Sequence, residues 1–146
     1  VTWVLHDESG LYTKQNKLRK VAENQRRGAA GMGGRTLETT NAWDPAEEST
    51  AQLTFESQRP DILKFFRRAP VELDYLDPVQ RRQIHEFVYA GCWWVDLDAI
   101  EAEAAELIEK DPAQAQRFYG NMLVAGAGSW MPEALWASAA RVAAVA

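Results

Sequence analysis

Val1-Thr2-Trp3-Val4-Leu5-His6-Asp7-Glu8 is a mostly apolar run that stops on two adjacent carboxylates. A short apolar run of this kind is how a buried strand of a parallel sheet reads, and ligands of open α/β sheets bind just beyond the carboxyl ends of the strands. Asp7 and Glu8 therefore stand where such folds do chemistry. A second reading stays open from these eight residues: Asp-Glu after an apolar run is also a common helix start, with Asp7 as N-cap.

The next segments favour the strand. Thr13 to Ala30 is rich in Lys, Gln, Arg, Glu and Ala, all helix formers, with Leu18, Val21, Ala22 and Gln25 near one face. Gly28, Gly31, Gly33 and Gly34 close it with a turn, and Arg35-Thr36-Leu37-Glu38-Thr39-Thr40-Asn41 follows. Strand, helix, strand over this length is a βαβ crossover, almost always right-handed, with its two strands parallel. The polar tips Asp7-Glu8 and Thr39-Thr40-Asn41 are then expected at one sheet edge. In nucleotide hydrolases of the P-loop class an acid at this point holds Mg²⁺, a hard ion that prefers oxygen ligands and keeps much of its water, and an adjacent Glu activates the attacking water. Hydroxyls and an amide beside that acid are what a γ-phosphate sensor needs, because neutral donors leave the metal's charge intact. The alternative is that Thr39, Thr40 and Asn41 only end a strand and cap the helix that begins near Pro45.

Taken together, His6-Asp7-Glu8, the stretch Gln25-Arg26-Arg27-Gly28 through Arg35, and Glu38-Thr39-Thr40-Asn41-Ala42-Trp43-Asp44-Pro45 resemble the middle of a tailed-phage terminase large subunit. The resemblance continues in Trp93-Trp94-Val95-Asp96-Leu97-Asp98 and in Asp111-Pro112 through Asn121, reaching about Trp136. It implies an α/β fold, the C-terminal part of a P-loop NTPase followed by a mainly helical lid or linker. It implies that Asp7 is the Walker B metal-site acid, that Glu8 is the catalytic carboxylate, and that Thr39, Thr40 and Asn41 form the coupling motif that contacts the cofactor. ATP and Mg²⁺ are the cofactors that follow. The implied activity is ATP hydrolysis coupled to translocation of double-stranded DNA into a capsid. The implied partners are that DNA, a portal protein, the terminase small subunit and other copies in a ring. The implied location is the cytoplasm of an infected bacterium, transiently at the capsid portal.

The family's Gly-rich Lys-Ser/Thr loop is not found in these 146 residues. Gly28 to Gly34 has no Lys followed by Ser or Thr and comes after a helix, so it is not a phosphate cradle. The carboxylates of the family's nuclease domain are also missing, and the chain is expected to be a piece of the motor that is inactive alone. The expected organisation is a partial ATPase core over 1–70, a helical lid or linker over 71–136 and an Ala-rich tail over 137–146.

Composition fits one domain or a piece of one: 47% apolar residues suffice for a core. No run of about eighteen apolar residues is present and the N-terminal residues lack signal-peptide order, so no membrane partner and no leader are expected. The net charge of −5 argues against an autonomous nucleic-acid binder. Lys14, Lys17, Arg19, Lys20, Arg26 and Arg27 gather on the first helix, and a solvated helix face is the preferred reading. The single Cys92, beside Trp93 and Trp94, reads as a buried packing residue, and His85 as a satisfied or surface histidine without metal-ligand spacing. Further helices are expected over 47–57, 77–90, 96–110 and 111–119, and a third strand over 62–68 between Pro60 and Pro70. Two other classes of function stay in view: a two-metal nuclease built on Asp7, Glu8 and Asp44, and a non-catalytic fragment.

Overall fold

The computed structural model describes residues 2–126. The apolar opening forms strand β1, Trp3–Asp7, and the run before Asn41 forms β2, Arg35–Thr39. They pair parallel, with Trp3 opposite Arg35, Leu5 opposite Leu37 and Asp7 opposite Thr39. Helix α1, Leu18–Ala30, makes the crossover between them. The described residues are thus α/β, with a two-stranded parallel sheet and five α-helices. The others are α2, Thr50–Glu56, then α3, Pro78–Val88, then α4, Leu97–Lys110, and α5, Pro112–Phe118.

Partners in a ladder point to the same side and neighbours along a strand to opposite sides, so the register sorts the residues. Val4, His6 and Glu38 share the face that α1 covers. There α1 presents buried Ala22 and Ala29, while Gln25 and Arg26 reach His6 and Glu38. Leu18 and Val21, expected on the packed face, stand about half in solvent, because small Ala residues bring the helix backbone close to the strands. Trp3, Leu5 and Leu37 share the other face and are 69%, 64% and 53% exposed. A strand buried on both sides was the expectation from the apolar run; one side is open.

The expected third strand does not form: residues 58–70 carry no regular structure. Pro60 and Pro70 remove two backbone donors, Phe66 packs on Trp43 and Phe55, and Leu63 and Phe65 project outward. The run is therefore a strap across β2's carboxyl end.

Helices α3, α4 and α5 start where their caps predict, whereas α1 begins at Leu18 instead of near Thr13 and α2 at Thr50, capped by Ser49, instead of at residue 47. Asp77, Asp96 and Asp111 each accept hydrogen bonds from backbone N–H groups of the first turn, and Pro follows at the first position of α3 and α5. Ala69, Tyr75, Ile84, Ala104 and Ala115 form the core of this helical half, with Val88, Leu107 and Ile108 against it. Phe87, expected beside Ile84 and Val88, is half exposed. The tail, 137–146, and the part of the helical region beyond 126 lie outside the described residues.

Candidate functional site

The two strand tips meet. Thr39 Oγ1 donates to Asp7 Oδ1 at 2.7 Å, and the backbone N–H of Glu8 donates to the same oxygen at 3.1 Å. Asp7 is exposed, and its Oδ2 takes part in none of these contacts. Glu8 has φ 54 and ψ 39, a left-handed conformation that costs an L residue about 1–2 kcal/mol. That backbone turns the chain at once into the 3₁₀ turn Ser9–Leu11, closed by a bond from Leu11 N–H to the Glu8 carbonyl at 2.9 Å. Gly10 then donates its N–H to Thr40 Oγ1 at 3.0 Å. A Cβ on Gly10 would lie 2.6 Å from that hydroxyl, so only glycine lets the turn after β1 touch the segment after β2. Asn41 brings its carbonyl close to Gly10 and lines the adjoining cavity.

The crossover rule therefore brings Asp7, Glu8, Thr39 and Thr40 to one edge, as expected. Asp7 and Thr39 supply exposed hard oxygens of the kind a hydrated Mg²⁺ takes as outer or inner ligands, so the donor set fits that ion. Asp44 is not part of this group. Its carboxylate accepts from Ala46 N–H at 2.9 Å and Gly126 N–H at 2.7 Å and pairs with Arg117 at 3.5 Å. Among the described residues no three His, Cys, Asp or Glu side chains come together as a group that could hold a metal ion.

Behind the tips lies a brace that sequence reading missed. Glu38 points to the α1 face, where Arg26 pairs with its Oε1 and Thr54 donates to the same oxygen at 3.1 Å. Arg26 also donates to Thr54 at 2.6 Å, and His6 meets Gln25 at 2.9 Å beneath them. The signal available in sequence was Glu38 alternating with Leu37 and Thr39 along a strand, which assigns it to the helix side. Next to the brace a cavity of about 430 Å³ opens between β2's carboxyl end, α2 and the 62–66 strap.

The basic cluster of α1 does not act as one face. Arg26 turns inward to Glu38, while Arg19 and Arg27 lie 3.8 Å from Glu23, leaving Lys14, Lys17 and Lys20 around a shallow cleft. His85 is fully buried: Tyr75 Oη lies 2.8 Å from its Nε2 and Glu101 Oε1 lies 2.5 Å from its Nδ1, the latter off the line of a regular hydrogen bond. Burial holds its pKa below 6.5 against the pull of Glu101, with Arg81 and Arg82 adding to the depression. Cys92 is only half-buried, so the buried packing role expected for it is corrected, and the adjoining Trp93 and Trp94 are exposed, edge to face at 5.7 Å. Gly91, at φ 88, follows the end of α3, and the two indoles lie in the link between α3 and α4. No helix among the described residues is long and apolar enough to cross a membrane. No protein-family model, curated protein or solved structure matches the chain.

Proposed function

We propose that this chain is a piece of a DNA-packaging ATPase of the tailed-phage terminase type, with Asp7 as the metal-site acid, Glu8 as the water activator and Thr39, Thr40 and Asn41 as the sensor of the γ-phosphate. One observation supports the reading above the others: across two parallel strands, Thr39 Oγ1 bonds Asp7 Oδ1 at 2.7 Å at the carboxyl edge. Bound Mg²⁺ would neutralise charge on the transferring phosphoryl group. Asp7 positions the ion or its waters, and Glu8, one residue on, takes a proton from water through an Oε atom. Thr39 donates to Asp7, and Thr40 accepts from Gly10 in the turn after Glu8, so the two hydroxyls would link an acid that holds the ion to the turn that carries the water activator. In the complete machine the partners of this reading are double-stranded DNA, the portal, the small subunit and further copies in a ring, in the cytoplasm of the host.

The test is ATP turnover. The 146 residues contain no Lys-bearing phosphate loop, and phosphoryl transfer depends on positioning and charge neutralisation more than on a base alone, so the chain by itself is expected neither to bind ATP tightly nor to hydrolyse it. In a chain with a Gly-rich Lys-Ser/Thr loop ahead of β1, ATP is hydrolysed and Glu8→Gln abolishes turnover while nucleotide binding persists. Loss of binding in Glu8→Gln assigns Glu8 to structure. Mn²⁺-dependent DNA cleavage without ATP, removed by Asp7→Ala, would replace the motor reading with a nuclease.

A further inference from the structure

The strap over 62–68 carries charge that no neighbouring carboxylate offsets. Lys64, Arg67 and Arg68 each lie over an aromatic ring, Phe55, Phe65 and Phe66 in turn, at 5.6–6.0 Å from the ring centre. None of the three pairs with a carboxylate among the described residues, whereas Arg59 just before them is held by Asp61 at 2.6 Å. Lys64 and Arg67 donate instead to the carbonyls of Ser57 and Ala90, neutral acceptors that fix the side chains and leave their charge uncompensated. The chain as a whole stands at −5, so this is a local cationic strip on an acidic protein. Its apolar residues are divided between anchoring and exposure. Phe66 holds the strap down with its ring 5.9 Å from Trp43, while Leu63 and Phe65 are 98% and 83% exposed. No backbone N–H of residues 62–68 donates to another described residue.

We propose that the strap is a binding track for single-stranded nucleic acid, with Phe65 stacking a base and Lys64, Arg67 and Arg68 meeting neighbouring phosphates. A strip of uncompensated cations calls for a polyanion, and an exposed aromatic face calls for a flat apolar partner; an unpaired strand offers both in every nucleotide. A duplex offers only the first, because its bases are already stacked on one another and Phe65 would gain nothing. An anionic membrane surface is the weaker fit, since membrane affinity grows with the apolar area buried and the strap has only Leu63 and Phe65 to insert. Main-chain N–H groups add donors of the kind that meet phosphate oxygens. Leu63 and Phe65 also line the cavity of about 430 Å³, whose volume admits one base. This inference does not rest on ATP hydrolysis, since none of these residues belongs to the strand tips and the duplex of the motor reading is a different ligand.

The experiment follows the fluorescence anisotropy of three labelled probes of equal length, without ATP or Mg²⁺, as the 146-residue chain is added. The probes are a thymidine strand, an abasic strand with the same phosphates, and a duplex. The thymidine strand is expected to bind at least about five-fold more tightly than the abasic one, the low end of what stacking one base contributes. Its affinity should fall with salt at a slope of about −2 in log K against log salt, from three phosphates neutralised at roughly 0.7 each. Phe65→Ala should bring the thymidine strand down to the abasic level with the slope unchanged. Arg68→Ala should lower the slope to about −1.4 and keep the preference for bases. Both side chains are exposed, so an unchanged melting temperature verifies that each variant is folded. Equal binding of thymidine and abasic strands, binding of no probe, or a Phe65→Ala chain that keeps the thymidine preference each overturns the proposal. Preference for the duplex overturns it too, while leaving the ATP turnover test untouched. Tighter binding to vesicles of phosphatidylcholine and phosphatidylserine than to the thymidine strand would replace it with a membrane contact.

Discussion

Glu8 occupies a backbone conformation that glycine would adopt at less cost, and a strained residue beside a carboxylate tip is more economical to explain by chemistry than by packing. Glu8→Gly is therefore expected to stabilise the chain by about 0.5 kcal/mol, the relief of the left-handed strain less the entropy that glycine adds to the unfolded state, measured by urea denaturation. A destabilised variant would mean that the Glu8 side chain holds the fold together. Neighbouring residues show how far single positions can be read. Asp7 and Thr39 were legible because the side-chain alternation of two parallel strands fixes which ends meet. Gly10 was not, since its role depends on a contact thirty residues away with Thr40. His85 gives a pH signature. Burial depresses its folded pKa, so between its ordinary value near 6.5 and that lower value the unfolded chain binds the extra proton and stability falls as pH falls. The loss is at most about 1.4 kcal/mol per pH unit for one proton. His85→Gln should flatten that part of the pH dependence of thermal unfolding; an unchanged slope would assign it to other groups.

Between elements, α3 and α4 are joined by a polar clamp in which Arg81 Nε donates to Glu101 Oε2 at 3.0 Å while Glu101 also faces His85. Both partners are largely buried, so removing one leaves a charge without compensation. Glu101→Ala should destabilise the chain by about 3 kcal/mol, and the double change Arg81→Met with Glu101→Leu by much less, because apolar replacements remove both desolvation penalties together. A double variant as unstable as the single one would show that the clamp itself, and not the orphaned cation, sets the stability. Asp77→Ala, which removes the carboxylate oxygen that accepts from two N–H groups at the start of α3, should cost about 1 kcal/mol in the same denaturation assay. The starts of α3, α4 and α5 were legible because their signals are local, an Asp cap followed in α3 and α5 by Pro, all within one turn; α1 and α2 lack that signal and begin later than expected. The segment 62–68 misled for the opposite reason. Its composition suits a strand, but a strand also needs a backbone partner, and Phe66 finds aromatic rings where a ladder was expected.

At the scale of the whole molecule, the helical half holds a core of its own, whereas the sheet has one face covered by α1 and one face presenting Trp3, Leu5 and Leu37 to solvent. Parallel sheets normally have both faces covered, and an exposed apolar patch of this kind favours association. Concentration-dependent light scattering by the chain is expected, and Leu5→Lys with Leu37→Lys should suppress it while shifting the melting temperature by less than about 4 °C, as half-exposed side chains contribute little. Unchanged scattering would locate the sticky surface elsewhere, with Trp93 and Trp94 the next to substitute. The alternation of Leu37 and Glu38 also acts as a check on alignment. Were β2 to slide by one residue, Glu38 would come opposite Asp7, two carboxylates would face each other at strand spacing, Arg26 would lose its anion and Leu37 would turn toward α1. The charge pattern of the pair thus penalises a misaligned ladder, and the tip geometry is proofread by electrostatics before any ligand arrives.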